Sequence, residues 1–95
     1  MLSIHEFVWP QDQIDHIARH GVAPHEVEGV CFGRSLVLRA KARVENPVYY
    51  VLGQTSARRY LLCVVIQFRD GKAYPVTARP MTDKERRRFQ NWKSR

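Results

Sequence analysis

The stretch Tyr60-Leu61-Leu62-Cys63-Val64-Val65-Ile66 is apolar or aromatic at every position, so neither face of the strand it would form carries a charge. Seven residues is strand length and far short of a membrane-spanning helix. A strand that is apolar on both faces belongs inside a sheet, covered by a helix on at least one side. The rest of the chain must therefore supply flanking strands and covering helices.

Both are present. The segments "SLVLRAKARV" (35–44), "VYYVLGQT" (48–55), "RYLLCVVIQF" (59–68) and "AYPVTAR" (73–79) follow the two-residue period of strands, with turns at 45–47, 55–58 and 69–72. Asp70-Gly71 is a strong hairpin signal. "SIHEFVWP" sets Ile4, Glu6 and Val8 against His5, Phe7 and Trp9, a first strand closed by Pro10. From Pro10 to about His20 the period is helical, with Ile14, Ile17 and Ala18 on one side, Pro10 suited to the first helical position and Gly21 to a left-handed cap. A second helix runs from Pro24 to about Phe32, burying Val27, Val30 and Cys31, with Glu26 in its first turn and Gly33 at its end. Thr82 and Glu85 form a capping box ahead of a last helix that reaches about Lys93. The order predicts one α+β domain over residues 1–95, a largely antiparallel sheet of about five strands packed with three short helices.

The 95 residues suffice for one modest core and are too few for two. No long apolar stretch or basic leader is present, so no membrane span or signal peptide is expected and the expected compartment is the cytoplasm. Cys31 and Cys63 lie in apolar surroundings and read as reduced core thiols. Charge is distributed unevenly. Residues 1–47 hold five Lys/Arg against six Asp/Glu, and residues 48–95 hold eleven against three, giving −1 and +8 within a net +7. A field of that sign attracts polyanions or an acidic protein.

Chemistry concentrates in "HIARHGVAPHEVEG" (16–29). His16 and His20, four apart on one helical face, are close enough to serve a single phosphate from the same side. Metal-free RNA cleavage needs a base for the 2′-hydroxyl proton, an acid for the leaving 5′-oxygen and cations for the charge between them. Histidines and arginines meet those needs. The structural reading of the same residues is a helix end, where an imidazole caps carbonyls and meets the dipole. A zinc pair is the third reading, but Ile17 stands where a metalloprotease motif has glutamate and no third ligand has a convincing spacing, so no metal or other cofactor is expected. Arg79, at the end of a strand before Pro80, suits a phosphate clamp or an ion pair with Glu85 or Asp83. Arg58 and Arg59 stand in the turn before the central strand. Lys84, Arg87, Arg88, Asn91 and Arg95 form one polar stripe on the last helix, opposite Phe89 and Trp92, which read as core.

Taken in order, these motifs resemble the BrnT family of bacterial toxins, small relatives of the RelE-like ribonucleases. The family opens with a strand ending in Trp, continues W-D-x-x-K-x-x-N-x-x-K-H-G-V, and closes with a strand reading S-A-R before a capped helix T-x-x-E-R-R. Trp9, the corner Arg19-His20-Gly21-Val22, Gly53, Arg59, Thr77-Ala78-Arg79, Thr82 and Glu85-Arg86-Arg87 match it. Pro10, Gln13, His16 and Val48 depart from it, and Arg19 stands where the family has Lys. The resemblance implies a RelE-like fold and the toxin of a type II toxin-antitoxin pair, an RNA endonuclease acting by metal-independent transesterification. His20, His16 and Arg79 are then the catalytic candidates, and Arg19, Arg58, Arg59, Lys84, Arg87 and Arg88 the RNA contacts. The implied partners are RNA and a small ribbon-helix-helix antitoxin, with no membrane and with self-association left open. The departures leave an alternative, a catalytically eroded RNA- or protein-binding module on the same fold.

Overall fold

The computed structural model describes residues 2–41 and 45–95. They form β1 (Glu6–Phe7), α1 (Gln11–Ala18), α2 (Pro24–Phe32), β2 (Ser35–Arg39), β3 (Val48–Gln54), β4 (Tyr60–Gln67), β5 (Lys72–Pro80) and α3 (Asp83–Lys93). One sheet holds all five strands in the order β1-β5-β4-β3-β2. Every pairing is antiparallel except the short parallel pair of β1 with β5. The α+β class is therefore as the alternation of periods predicts.

β4 lies at the centre, and both of its faces are covered. Leu61, Cys63 and Val65 are fully buried with Ile17 of α1 and Val27, Val30 and Cys31 of α2. Leu62, on the other face, packs with Leu52 and Phe89 of α3, and Leu36, Leu38, Tyr60, Met81 and Trp92 close around them. Two helices on one face and one on the other give three layers. Burying an average aliphatic side chain stabilises by about 1.5–3 kcal/mol, which is why the all-apolar segment claims the central place. The two thiols are free and buried, as expected. A hydrogen bond with Cys63 and burial push the Cys31 thiol up, so it stays protonated and unreactive.

The termini of elements differ from the sequence reading in three places. Pro10 is the N-cap of α1, in extended conformation with ψ 146°, and the helix ends at Ala18, leaving Arg19 and His20 in the turn before Gly21, whose φ is +71°. Ile17 is wholly buried, whereas Ala18 lies exposed. β1 pairs only through Glu6 and Phe7, extended by bonds from the N–H groups of His5 and Val8 to Gly71 and Ala73. Further along β5, Pro75 has no N–H to offer and the register shifts at Val64/Val65, so the ladder cannot continue. β2 stops at Arg39 because its partner β3 begins at Val48, directly after Pro47. The predicted extension of this strand over 42–44 lies outside the described residues.

Where β1 ends, α1 takes over the exposed edge of β5. The Gln13 amide donates to the carbonyls of Pro75 (2.6 Å) and Val76 (2.9 Å) beside the register shift. An open edge carbonyl left without a partner would cost stability and invite another chain. Gln13 thus fixes the line of α1 along the strand, and with it the position of His16 one turn later.

Candidate nucleic-acid interface

Two regions carry the predicted site residues other than Arg58: the corner after α1 at the β5 edge, and the groove between α3 and the sheet.

At the corner, the His16 and His20 rings stand edge to face, 79° apart in plane, with centroids 5.5 Å apart. A hydrogen bond of 3.0 Å joins His16 Nε2 and Thr77 Oγ1, which orients that ring. The His20 ring is exposed and makes no hydrogen bond among the described residues. It therefore does not cap the helix; the backbone N–H groups of His20, Gly21 and Val22 do the closing, to the carbonyls of Ile17, Ala18 and Ile17. Thr77 and Arg79 flank the fully buried Ala78, so by strand alternation they share the opposite face of β5. The histidine pair thereby meets the margin of the sheet face on which Arg79 and α3 lie.

Arg79 is not free at that margin. Its Nη1 and Nη2 donate to the two oxygens of Glu85, each at 2.9 Å, and Nη1 also reaches the Pro80 carbonyl at 3.0 Å. Of the two roles open to this residue, it fills the ion pair. Glu85 in turn accepts from the Thr82 N–H at 2.8 Å while its own N–H donates to Thr82 Oγ1 at 3.2 Å, completing the predicted capping box. Arg59 is engaged in the same way. Its Nη1 donates to both oxygens of Glu26 at 2.8 Å and to the Gly21 carbonyl at 2.9 Å, tying the histidine corner to the start of β4. Burial opposes ionisation of Glu26, but the Ala23 N–H and Arg59 outweigh it and hold the carboxyl below its usual range. Arg58 sits in the turn with φ +68°, its exposed side chain beside Arg34, Gln54 and Lys93. The Arg19 side chain is exposed and without a hydrogen bond or ion pair among the described residues.

Hydrogen bonding from Arg79 pulls the Glu85 carboxyl down, with Thr82 adding to the shift against the smaller effect of burial. A folded value below the ordinary 4.5 means that Glu85 contributes stability above about pH 4.5, which is lost as the pH falls through the folded value. Glu85→Gln should lower stability at pH 7 by about 1 kcal/mol, as suits a partly exposed pair joined to a cap. It should also make the acid side of the stability curve shallower. Urea midpoints measured from pH 7 to pH 3 read both effects, and curves of identical shape for the two proteins would remove this role from Glu85.

The basic stripe of α3 is arranged as its spacing predicts, and Phe89 is core, but Trp92, expected opposite the stripe, is half-buried and lines the same groove. Lys84, Arg87, Arg88, Asn91 and Arg95 are exposed, and with Leu36 and Trp92 they line a groove of about 440 Å³. Phe89 is buried at 1% exposure and Trp92 packs against it. A second groove of about 260 Å³ adjoins it, floored by Leu38, Tyr50, Leu52 and Leu62 and walled by Arg79, Glu85 and Arg88. Tyr50, 41% exposed, escaped the sequence reading. The signal was available in "VYYVLGQ": alternation turns Tyr49 and Val51 into the core and Tyr50 out of it. Among the described residues no group of three or more His, Cys, Asp or Glu is placed to hold a metal ion, and no helix is long and apolar enough to cross a membrane. No protein-family model and no curated protein matches the chain.

Proposed function

We propose that this protein is an RNA endonuclease toxin of the BrnT type, cutting by metal-independent transesterification in the cytoplasm and neutralised by a small ribbon-helix-helix antitoxin. The observation that carries this reading is the pair of imidazoles 5.5 Å apart, one oriented by Thr77 and the other open to solvent. In that reaction the 2′-hydroxyl attacks phosphorus, a base removes its proton, and the P–O bond to the 5′-oxygen breaks as an acid protonates it. His20 and His16 are the two groups that exchange these protons, each able to take either part. Arg19, exposed and uncommitted next to His20, is the corner cation best placed for the phosphate. Arg59 and Arg79 hold the corner and α3 in place through their carboxylates. The basic second half of the chain supplies the long-range attraction for RNA.

A second reading is favoured by those same two ion pairs. With Arg59 and Arg79 bound to Glu26 and Glu85, two of the cations expected on phosphate are neutralised, as in a module that binds RNA or protein without cutting it. Expression in a bacterial host decides between them. The toxin reading expects arrested growth that His20→Gln relieves at equal protein level, and undisturbed growth with the wild-type chain selects the binding module.

A further inference from the structure

The groove floored by Leu38, Tyr50, Leu52 and Leu62 and the groove along the α3 stripe share Arg88. They also share one strand, because Leu36 and Leu38 are two apart in β2 and face the same way, toward Phe89. The result is one continuous furrow beside α3. One end carries an exposed aromatic ring on an aliphatic floor, and the other carries Lys84, Arg87 and Arg95 around Trp92. Among the described residues, the only carboxylate lining the furrow is Glu85, which already meets the Arg79 fork, while the Arg88 guanidinium has no hydrogen bond or ion pair. A ring to stack on, followed by unneutralised cations, is the chemistry that recognises unpaired bases joined by phosphates.

We infer that this furrow binds single-stranded RNA, one base lying against Tyr50 and the phosphates that follow it on Arg88 and the α3 stripe. The inference rests on RNA being the ligand of this protein and not on its cutting that RNA. A single strand is required because duplex RNA keeps its base faces stacked and shows the protein mainly phosphates and hydroxyls. The 260 Å³ recess over Leu38, Leu52 and Leu62 has room for one planar ring system and none for a helix. Tyr50 belongs to a paired strand, opposite Leu38 and Val64, so its backbone is already fixed and only two side-chain torsions remain to be ordered on binding.

The test uses the full chain and a fluorescently labelled 2′-O-methyl RNA decamer of mixed sequence, which has no 2′-hydroxyl to attack, with binding read by anisotropy. Tyr50→Ala should weaken binding by about ten- to a hundredfold, the worth of one stacked base, and Tyr50→Phe should stay within about twofold of wild type. Arg88→Gln should lower the slope of log affinity against log salt by about 0.7, one phosphate contact. Arg69→Gln, which removes the same charge from the distant β4–β5 turn, should leave the Tyr50 effect intact. A duplex of the same length should bind without dependence on Tyr50. Circular dichroism confirms folding of each variant. Equal affinity of wild type and Tyr50→Ala for the single strand overturns the inference and leaves the furrow to a protein partner, as does an equal Tyr50 effect on duplex. If unmodified RNA is not cleaved but the Tyr50 dependence holds, the nuclease reading fails and this one stands.

Discussion

His20→Gln is expected to slow RNA cleavage by roughly 10²- to 10⁴-fold, the usual worth of a positioned acid or base, while the melting temperature moves by no more than a degree or two. The expectation of unchanged stability comes from the geometry of the corner. The imidazole of His20 is exposed and meets the His16 ring, and the turn is closed by backbone bonds, by the left-handed Gly21 and by Arg59 on the Gly21 carbonyl. Glutamine keeps a polar side chain there and removes the titratable proton. His25→Gln, at an exposed position in the first turn of α2, is the matched control and should cleave as wild type does. Rates measured on a defined RNA together with thermal unfolding separate the cases. An unchanged rate removes His20 from the chemistry, and a rate loss that merely tracks a fall in melting temperature makes it a structural residue.

Phe89→Ala should remove about 3–5 kcal/mol of folding stability, the range for truncating a buried aromatic ring. Phe89 is the residue through which α3 enters the core: it sits between Tyr60 at 6.1 Å and Trp92 at 5.8 Å and packs on Leu52 and Leu62. It is the one buried residue of α3, whose far side is charged. For a domain whose total stability is on the order of 5–15 kcal/mol, the loss is a large fraction, and the furrow beside α3 should lose RNA affinity with it. Urea unfolding gives the value. A change below about 1 kcal/mol would mean that α3 is not held to the sheet in this way.

Features governed by neighbours along the chain are legible in the amino-acid sequence. The all-apolar Tyr60–Ile66 segment is the central strand, Thr82 and Glu85 are the capping box of α3, and Gly21 takes the positive φ of a helix end, because each depends on a period or on spacings of three or four residues. The basic stripe of α3 follows from the same periodicity. Features that depend on distant partners are not legible. Nothing near Arg59 in sequence indicates Glu26, 33 residues away, and nothing near Gln13 indicates the carbonyls of Pro75 and Val76. The parallel pairing of β1 with β5 is equally non-local, and the shortness of β1 follows from Pro75 in its partner. Arg79 narrows from its surroundings in sequence to two roles, a phosphate clamp or a pair with Glu85, and only the fold chooses the second. The candidate site is thus half readable: His16 and the stripe lie on helices whose faces are periodic and His20 in the turn that closes α1, whereas Tyr50 gains meaning only once β2, β3 and α3 stand around it.

The most direct test of the central claim is incubation of the purified, folded wild-type chain with RNA in excess EDTA, followed by analysis of the cut ends. Metal-independent attack by the 2′-hydroxyl predicts cleavage undiminished by the chelator and fragments ending in 2′,3′-cyclic phosphate, formed roughly 10²- to 10⁴-fold more slowly by His20→Gln. Intact RNA in the presence of the folded protein, with or without the chelator, would contradict it.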